Sequence, residues 1–248
     1  KWAEGMKIPE NAEVMLFVGC ISSYKSREIA KAAANILKTA GITFGILKDE
    51  WCCGMKVLNA GSCNSGKKVA KHNVTALRKA GAKTVIMQCG ECYKGFKIDY
   101  PEMIGELPFE VLHITQFIKK LINEGKINLT EQIRKKVTYH DPCALGRFSG
   151  VYDEPREILK MIPGTELVEM YPAKEYAWCC GGSIKDAYPD LAVKIAVDRV
   201  NHAHEVGAEV LTSACPLCKI NIQDAIKKTD TDLVFYDIIE IIAKAAGL

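Results

Sequence analysis

The chain has 248 residues, room for one large domain or two small ones of roughly 100–200 residues each. Hydrophobic residues make up 48% and charged residues 25%, an ordinary globular balance that excludes a disordered, collagenous or fibrous chain. Lys and Arg number 33 against 30 for Asp and Glu, a net charge of +3, so no strong field points to nucleic acid or to an anionic membrane surface.

The N-terminal Lys1-Trp2-Ala3-Glu4-Gly5 carries no apolar h-region, so no secretory signal is expected. No apolar run approaches the ~20 residues of a membrane span, and no direct membrane insertion is expected. Val14–Val18 reads as a first strand, and Ser26–Ala40 follows with Ile29, Ala32, Ala33, Ile36 and Leu37 on one helical face. Gly41 ends that helix. A strand over Ile42–Leu47, a helix over Gly66–Ala80, a strand over Lys83–Met87, a strand over Phe109–Ile114 and a helix over Thr115–Glu124 complete the first half. The second half predicts strands at Val137–Tyr139, Glu166–Glu169, Glu209–Thr212 and Leu233–Phe235. Its helices are predicted at Glu154–Met161, Leu191–Val206, Leu217–Lys228 and Asp237–Ala246. Strands alternating with helices imply βαβ units on parallel sheets with right-handed crossovers.

The halves repeat one another. An apolar run ends at Cys20 and a similar one at Cys143; Trp51-Cys52-Cys53-Gly54 returns as Trp178-Cys179-Cys180-Gly181. The stretch from Gly81 to Cys92 matches that from Gly207 to Cys218 without a gap. The offsets of 123, 127 and 126 residues leave only small insertions between the copies. The expected architecture is α/β, two pseudo-symmetric Rossmann-like halves, each a parallel sheet flanked by helices. The first repeat is expected over residues 1–128 and the second over 129–248.

Cysteine is the residue out of proportion, at 11 of 248. A disulfide scaffold would be small, secreted and even in cysteine number. Ten of the eleven fall instead into two spaced sets, Cys20, Cys52, Cys53, Cys89, Cys92 and Cys143, Cys179, Cys180, Cys215, Cys218. Cys63 is left over as a buried or incidental thiol. Each set falls at or after the C-terminal ends of predicted strands, the edge where open α/β sheets place ligands, so all five thiols of a copy can converge. Structural zinc and a cubane 4Fe-4S cluster each take four ligands. Five thiolates therefore point first to an iron–sulfur site, with zinc and plain thiol chemistry open as alternatives.

The two Cys-Cys-Gly motifs, with Val18-Gly19-Cys20 before the first and His140-Asp141-Pro142-Cys143-Ala144-Leu145-Gly146-Arg147 before the second, resemble the cysteine-rich Cys-Cys-Gly domain family over about residues 13–225. That family includes two components of heterodisulfide reductases, one of them membrane-linked and similar through its C-terminal region. The resemblance implies that each five-cysteine set holds a noncubane 4Fe-4S cluster, the two facing each other across a substrate cleft. It implies cleavage of a small-molecule disulfide, of the coenzyme M–coenzyme B type, in successive one-electron steps. The alternative is a non-catalytic iron–sulfur electron-transfer subunit of a flavoprotein dehydrogenase, of the lactate, glycolate or glycerol 3-phosphate type. The chain has no ferredoxin-type cysteine run, so that run is expected in a partner subunit or in a further part of the polypeptide; the implied partners are a ferredoxin-like iron–sulfur subunit and a flavin or haem subunit that supply electrons, in a reducing cytoplasm. Family members often carry a longer glycine run after the second Cys-Cys than the Gly181-Gly182-Ser183 found here.

Three further residues are candidates for catalysis. His140 and Asp141 precede Cys143 and can deliver protons or tune the cluster; alternatively Asp141-Pro142 only forms a turn. Arg147 can bind an anionic head group, or serve as an ordinary surface or capping arginine. Lys219 and Tyr93, one residue past each Cys-x2-Cys, are expected on helix surfaces, with a place lining the cleft as the alternative. Gly54 and Gly181 are expected to permit close backbone approach. No dinucleotide-type glycine loop follows a strand.

Overall fold

Residues 2–248 are described in a computed structural model. Its contacts divide the chain into two units, Lys1–Ile127 and Asn128–Leu248. Each unit holds a four-stranded sheet whose pairs are all parallel.

In the first unit the strands are β1 (Val14–Phe17), β2 (Phe44–Gly45), β3 (Thr84–Met87) and β4 (Glu110–His113), in the order β2-β1-β3-β4. Parallel sheets are covered on both faces, which is why the central strands read as unbroken apolar runs and not as alternating ones. Met15, Leu16 and Phe17 of β1 and Val85, Ile86 and Met87 of β3 are all buried. Register Val14↔Thr84 through Phe17↔Met87 brings both strands to an end at the same level, and the loops that leave that edge carry the cysteines. The helices are α1 (Cys20–Tyr24), α2 (Arg27–Thr39), α3 (Met55–Asn59), α4 (Cys63–Lys79), α5 (Gly90–Lys94), α6 (Tyr100–Ile104) and α7 (Ile114–Asn123), with a π-helical turn over Gly95–Asp99 joining α5 to α6. Helix α2 buries Ile29, Ala30, Ala33, Ala34, Ile36 and Leu37 on one face; each of the large aliphatic side chains contributes about 1.5–3 kcal/mol through that burial.

The second unit repeats the winding, with β5 (Lys135–His140), β6 (Thr165–Leu167), β7 (Val210–Ser213) and β8 (Val234–Asp237) in the order β6-β5-β7-β8. Its helices are α8 (Asp153–Met161), α9 (Pro189–Glu205), α10 (Pro216–Ile226) and α11 (Ile238–Ala245). Both final helices open with a capping box, closed by His113 and Gln116 on α7 and by Asp237 and Glu240 on α11. Among the described residues no helix is long and apolar enough to cross a membrane.

Candidate functional site

The five cysteines of each unit come together in one continuous line of thiol contacts. In the first unit, Gly19 hands the chain from β1 to α1, which starts at Cys20. Cys52 and Cys53 end the loop after β2, immediately before α3, and Cys89 is the N-cap of α5, on which Cys92 lies. The Cys20 and Cys52 sulfurs are 3.5 Å apart. Hydrogen bonds then link Cys52 to Cys53, Cys53 to Cys92 and Cys92 to Cys89. In the second unit the line runs Cys143, Cys179, Cys180, Cys218, Cys215, with the Cys180 and Cys218 sulfurs 3.2 Å apart. None of the cysteines is disulfide-bonded among the described residues. Cys63 opens α4 on the exposed surface, outside both lines.

The electrostatics of each line are those of one shared thiolate. Cys52 is pulled far below the usual thiol range because Cys20 and Cys53 both hydrogen-bond to its sulfur, with the Gly54 N–H and Lys56 adding to the effect. Cys179 is pulled down in the same way by Cys143 and Cys180, then by the Gly181 N–H. Hydrogen bonding to these neighbours and then burial push Cys20, Cys92 and Cys218 upward. A second negative charge in either line therefore needs a cation. Adjacent cysteines also turn to different partners, Cys52 toward Cys20 and Cys53 toward Cys92, so the five donors do not close around a single tetrahedral ion. They fit a group with several soft metal atoms, for which thiolate is the preferred donor. Backbone N–H groups of Gly181 and Gly182 reach the Cys179 and Cys180 sulfurs at 3.3 and 3.4 Å, compensating part of the thiolate charge.

Gly181 has φ +78°, and a Cβ there would lie 2.6 Å from the Ala192 carbonyl oxygen. We expect Gly181→Ala to cost roughly 3 kcal/mol, combining a left-handed penalty of about 1–2 kcal/mol with overpacking of about 1–3 kcal/mol. Gly207, at φ +66° with open space around it, should lose only the first part on the same substitution. Denaturant midpoints of the two variants measure the difference.

His140 ends β5 in full burial, with neither ring nitrogen hydrogen-bonded. A ring nitrogen and the Cys180 and Cys218 sulfurs all lie within 4.8 Å of one another. Burial holds the imidazole neutral, its pKa lowered to about 4. Asp141 is not turned toward the thiols: Arg156 binds both its oxygens at 2.7 and 2.9 Å, and the Lys174 N–H donates to it at 2.8 Å. Arg147 spends donors on backbone carbonyls, Glu175 at 3.1 Å and Ala177, stapling its own turn to the segment that leads into Cys179. Lys219 and Tyr93 correct the expectation of helix-surface roles. They are 4% and 3% exposed; Lys219 pairs with Glu240 at 2.5 Å, and the Tyr93 ring meets His113 edge-on at 5.9 Å.

Several residues at the site, Asn73, Tyr100 and Arg199 buried and Glu50 half-buried, have no place in the motifs. Asn73, on the apolar stripe of α4 with Ala70 and Leu77, holds the first Cys-Cys loop by donating to the Cys52 carbonyl at 3.2 Å and accepting from the Trp51 N–H at 3.2 Å. The Tyr100 hydroxyl donates to the Cys53 carbonyl at 2.8 Å. Glu50 accepts from the Val18 and Gly19 N–H groups at 2.8 and 2.7 Å. Arg199 is fully buried on the stripe of α9 that also carries Ala192, Ala196 and Ala203. The signal for Asn73 and Arg199 was present in the sequence as a polar residue interrupting an apolar helical stripe.

The family described as "Cysteine-rich domain" matches residues 14–97 and 137–223. The chain is 44% identical over 250 residues to one component of the dihydromethanophenazine:CoB–CoM heterodisulfide reductase of Methanosarcina barkeri, with 98% of this chain and 61% of that protein covered. It is 32% identical to the EtfAB:quinone oxidoreductase of Syntrophomonas wolfei, with 96% of this chain and 35% of that protein covered. The chain thus spans about 61% and 35% of the length of these two relatives. Among solved structures, a hypothetical protein from Helicobacter pylori superimposes with a TM-score of 0.72 at 12% identity, over 98% of this chain and 50% of that one, a likeness of fold alone.

Proposed function

The chain belongs to the cysteine-rich domain family, and we propose that it is the iron–sulfur subunit of a disulfide reductase that works on a small-molecule heterodisulfide of the CoB–CoM type. The observation that carries this reading is that both five-thiol lines are complete, each linked from end to end. Cys20, Cys52, Cys53, Cys89 and Cys92 would hold one noncubane 4Fe-4S cluster, and Cys143, Cys179, Cys180, Cys215 and Cys218 the other. When bound, each cluster supplies one electron at a time and a soft iron for one of the two substrate sulfurs. Cleavage of RS–SR′ takes two electrons and two protons and gives RSH and R′SH. Two one-electron sites serve that balance, and the electrons come from a ferredoxin-like iron–sulfur partner fed by a flavin or haem subunit.

The chain's own residues hold and shield the pair. Cys53, Cys89, Cys92, Cys180, Cys215 and Cys218 are buried, while Cys52 is exposed and Cys20, Cys143 and Cys179 are half-buried, so each line has a protected end and an open end at which a substrate sulfur can arrive. The neutral His140 is placed to donate a hydrogen bond at the second line. Asp141 and Arg147 act by holding the backbone around Cys143 and Cys179. Open thiols of this kind call for a reducing, oxygen-poor cytoplasm.

Iron and acid-labile sulfide analysis of the anaerobically prepared protein, followed by low-temperature EPR with and without an added thiol or heterodisulfide, tests the reading. The expected result is two clusters' worth of iron and a paramagnetic signal that depends on the added sulfur compound. A signal indifferent to thiol and disulfide overturns the catalytic role and leaves an electron relay.

A further inference from the structure

The two thiol lines are related by the duplication, so each residue beside one can be compared with its counterpart beside the other. The 126-residue offset that carries Cys89 onto Cys215 carries Asn73 onto Arg199. The 123-residue offset of Cys20 and Cys143 carries Phe17 onto His140, and the 127-residue offset of Cys52 and Cys179 carries Glu50 onto Ala177. At all three positions the second unit is the more positive or the richer in hydrogen-bond donors.

Arg199 is the largest of these differences. It is 0% exposed; one guanidinium nitrogen donates to the Pro172 carbonyl at 3.0 Å and meets His202 at 3.1 Å. Its Nε and other terminal nitrogen are buried with no hydrogen-bond partner. The charges that act on it are those of Asp141 and Cys180. A buried cation with unmet donors is costly unless negative charge comes to it, and Asp141 is already bound on both oxygens by Arg156. The remaining source of negative charge is the thiol line. His140 stands on the same line with both ring nitrogens unmet and its donor atom within 4.8 Å of the Cys180 and Cys218 sulfurs.

The first unit has no equivalent buried cation among the described residues. Asn73 is neutral and spends its amide on the Cys52 carbonyl and the Tyr100 hydroxyl, Phe17 packs against Phe96 with ring centroids 4.8 Å apart, and Glu50 adds a carboxyl near Cys52. Lys56 acts on Cys52 from a half-buried position, where solvent screens it. The other charges near the second line are largely offset: Arg156 is bound to Asp141 and Glu169, and Lys219 is paired with Glu240.

From this we infer that the two sites are unequal electron acceptors: Arg199 and His140 make the second unit's five-cysteine site the more readily reduced of the two. The inference rests on the reading that each line holds an iron–sulfur cluster. Reduction adds a negative charge, which a fixed neighbouring cation stabilises in a low-dielectric surrounding. Hydrogen bonds to cluster sulfurs and net local charge are the terms through which a protein sets such potentials. Arg199 acts on the site as an electrostatic neighbour, not as a ligand.

An EPR-monitored redox titration of the intact chain, with Cys52→Ser and Cys179→Ser proteins to assign the steps, tests this. The step lost in Cys179→Ser is expected at the more positive potential, by at least the ~59 mV that corresponds to a tenfold ratio for one electron. Arg199→Gln should lower that step by a similar tenfold shift and leave the other in place, and Arg199→Lys should restore most of it. If Arg199→Gln fails to fold, the order of the steps in the unsubstituted protein and the shift in His140→Phe, which copies Phe17, decide. Two clusters with equal steps, or with the first unit's site reduced first, overturn the inference alone. Iron for fewer than two clusters overturns the reading beneath it as well.

Discussion

Cys53→Ala and Cys180→Ala are each expected to remove about half of the iron and to lower disulfide reduction at least ~100-fold, beyond the roughly 10–100-fold typical of losing an outer-shell partner. The reason lies in where these two thiols sit. Cys53 is the middle of its line, in contact with Cys52 on one side and Cys92 on the other, and Cys180 occupies the same place between Cys179 and Cys218. Removing either splits five donors into two separated pairs, whereas removing an end thiol such as Cys20 leaves four in sequence. Both are buried, so solvent does not replace the missing donor. Far-UV circular dichroism of the metal-free proteins should be unchanged, because loss of one sulfur leaves the Cβ and its packing in place. Cys63→Ala, at an exposed helix start, is the control and should retain full iron and activity. Full iron in Cys53→Ala or Cys180→Ala would show that the fifth cysteine stands aside from the site.

The alternation of strands and helices was legible because parallel strands buried on both faces are short apolar runs and the helices that cover them carry one apolar stripe. Nearly every predicted long element lies within a few residues of the observed one; among the long helices the largest shift is at the start of α4, at Cys63 in place of Gly66. The second strand was expected over Ile42–Leu47, but only Phe44–Gly45 pairs with β1. It is an edge strand, and beyond Gly45 the chain leaves the sheet for the loop that delivers Cys52. The short helices α1, α3, α5 and α6 were not legible: five residues carry too little periodicity to separate a helical turn from a loop. The cysteines stood out because the duplication printed their spacing twice. Arg199 and Asn73 did not, since each lies far in sequence from the cysteines and reaches them only once a helix packs on the sheet. Lys219 was misjudged because α10 buries Leu217, Cys218, Lys219, Asn221 and Ile222 together, and a helix enclosed on several sides has no reliable polar face to read.

Breaking the Asp141–Arg156 pair from one side is expected to destabilise the protein by about 3–5 kcal/mol and to lower its Tm by roughly 10–20 °C. Arg156 and Asp141 side chains are 5% and 2% exposed. The guanidinium also binds Glu169 at 2.7 and 2.9 Å, donates to the Tyr152 carbonyl at 2.9 Å and lies 5.1 Å from the Tyr139 ring centroid. Burial opposes the charge on Arg156, yet Asp141 and Glu169 together hold its pKa above the ordinary arginine value. Arg156→Met therefore strands Asp141 with only the Lys174 N–H, an uncompensated buried carboxylate, and Asp141→Asn leaves the guanidinium with the half-exposed Glu169 as its one carboxylate. Replacing both, as Asp141→Leu with Arg156→Met, removes the stranded charge and should recover most of the loss, since an apolar pair of similar volume often matches a buried ion pair. Arg156→Lys keeps the charge but not the fork that binds two carboxylates at once, and should recover less than half. Thermal melts of the four proteins measure these differences. Asp141 also anchors the segment at Lys174 that runs on to Cys179, so the single variants should lose iron from the second site before they unfold. An iron loss that follows melting and does not precede it would separate the ion pair's part in stability from any part in placing the thiols.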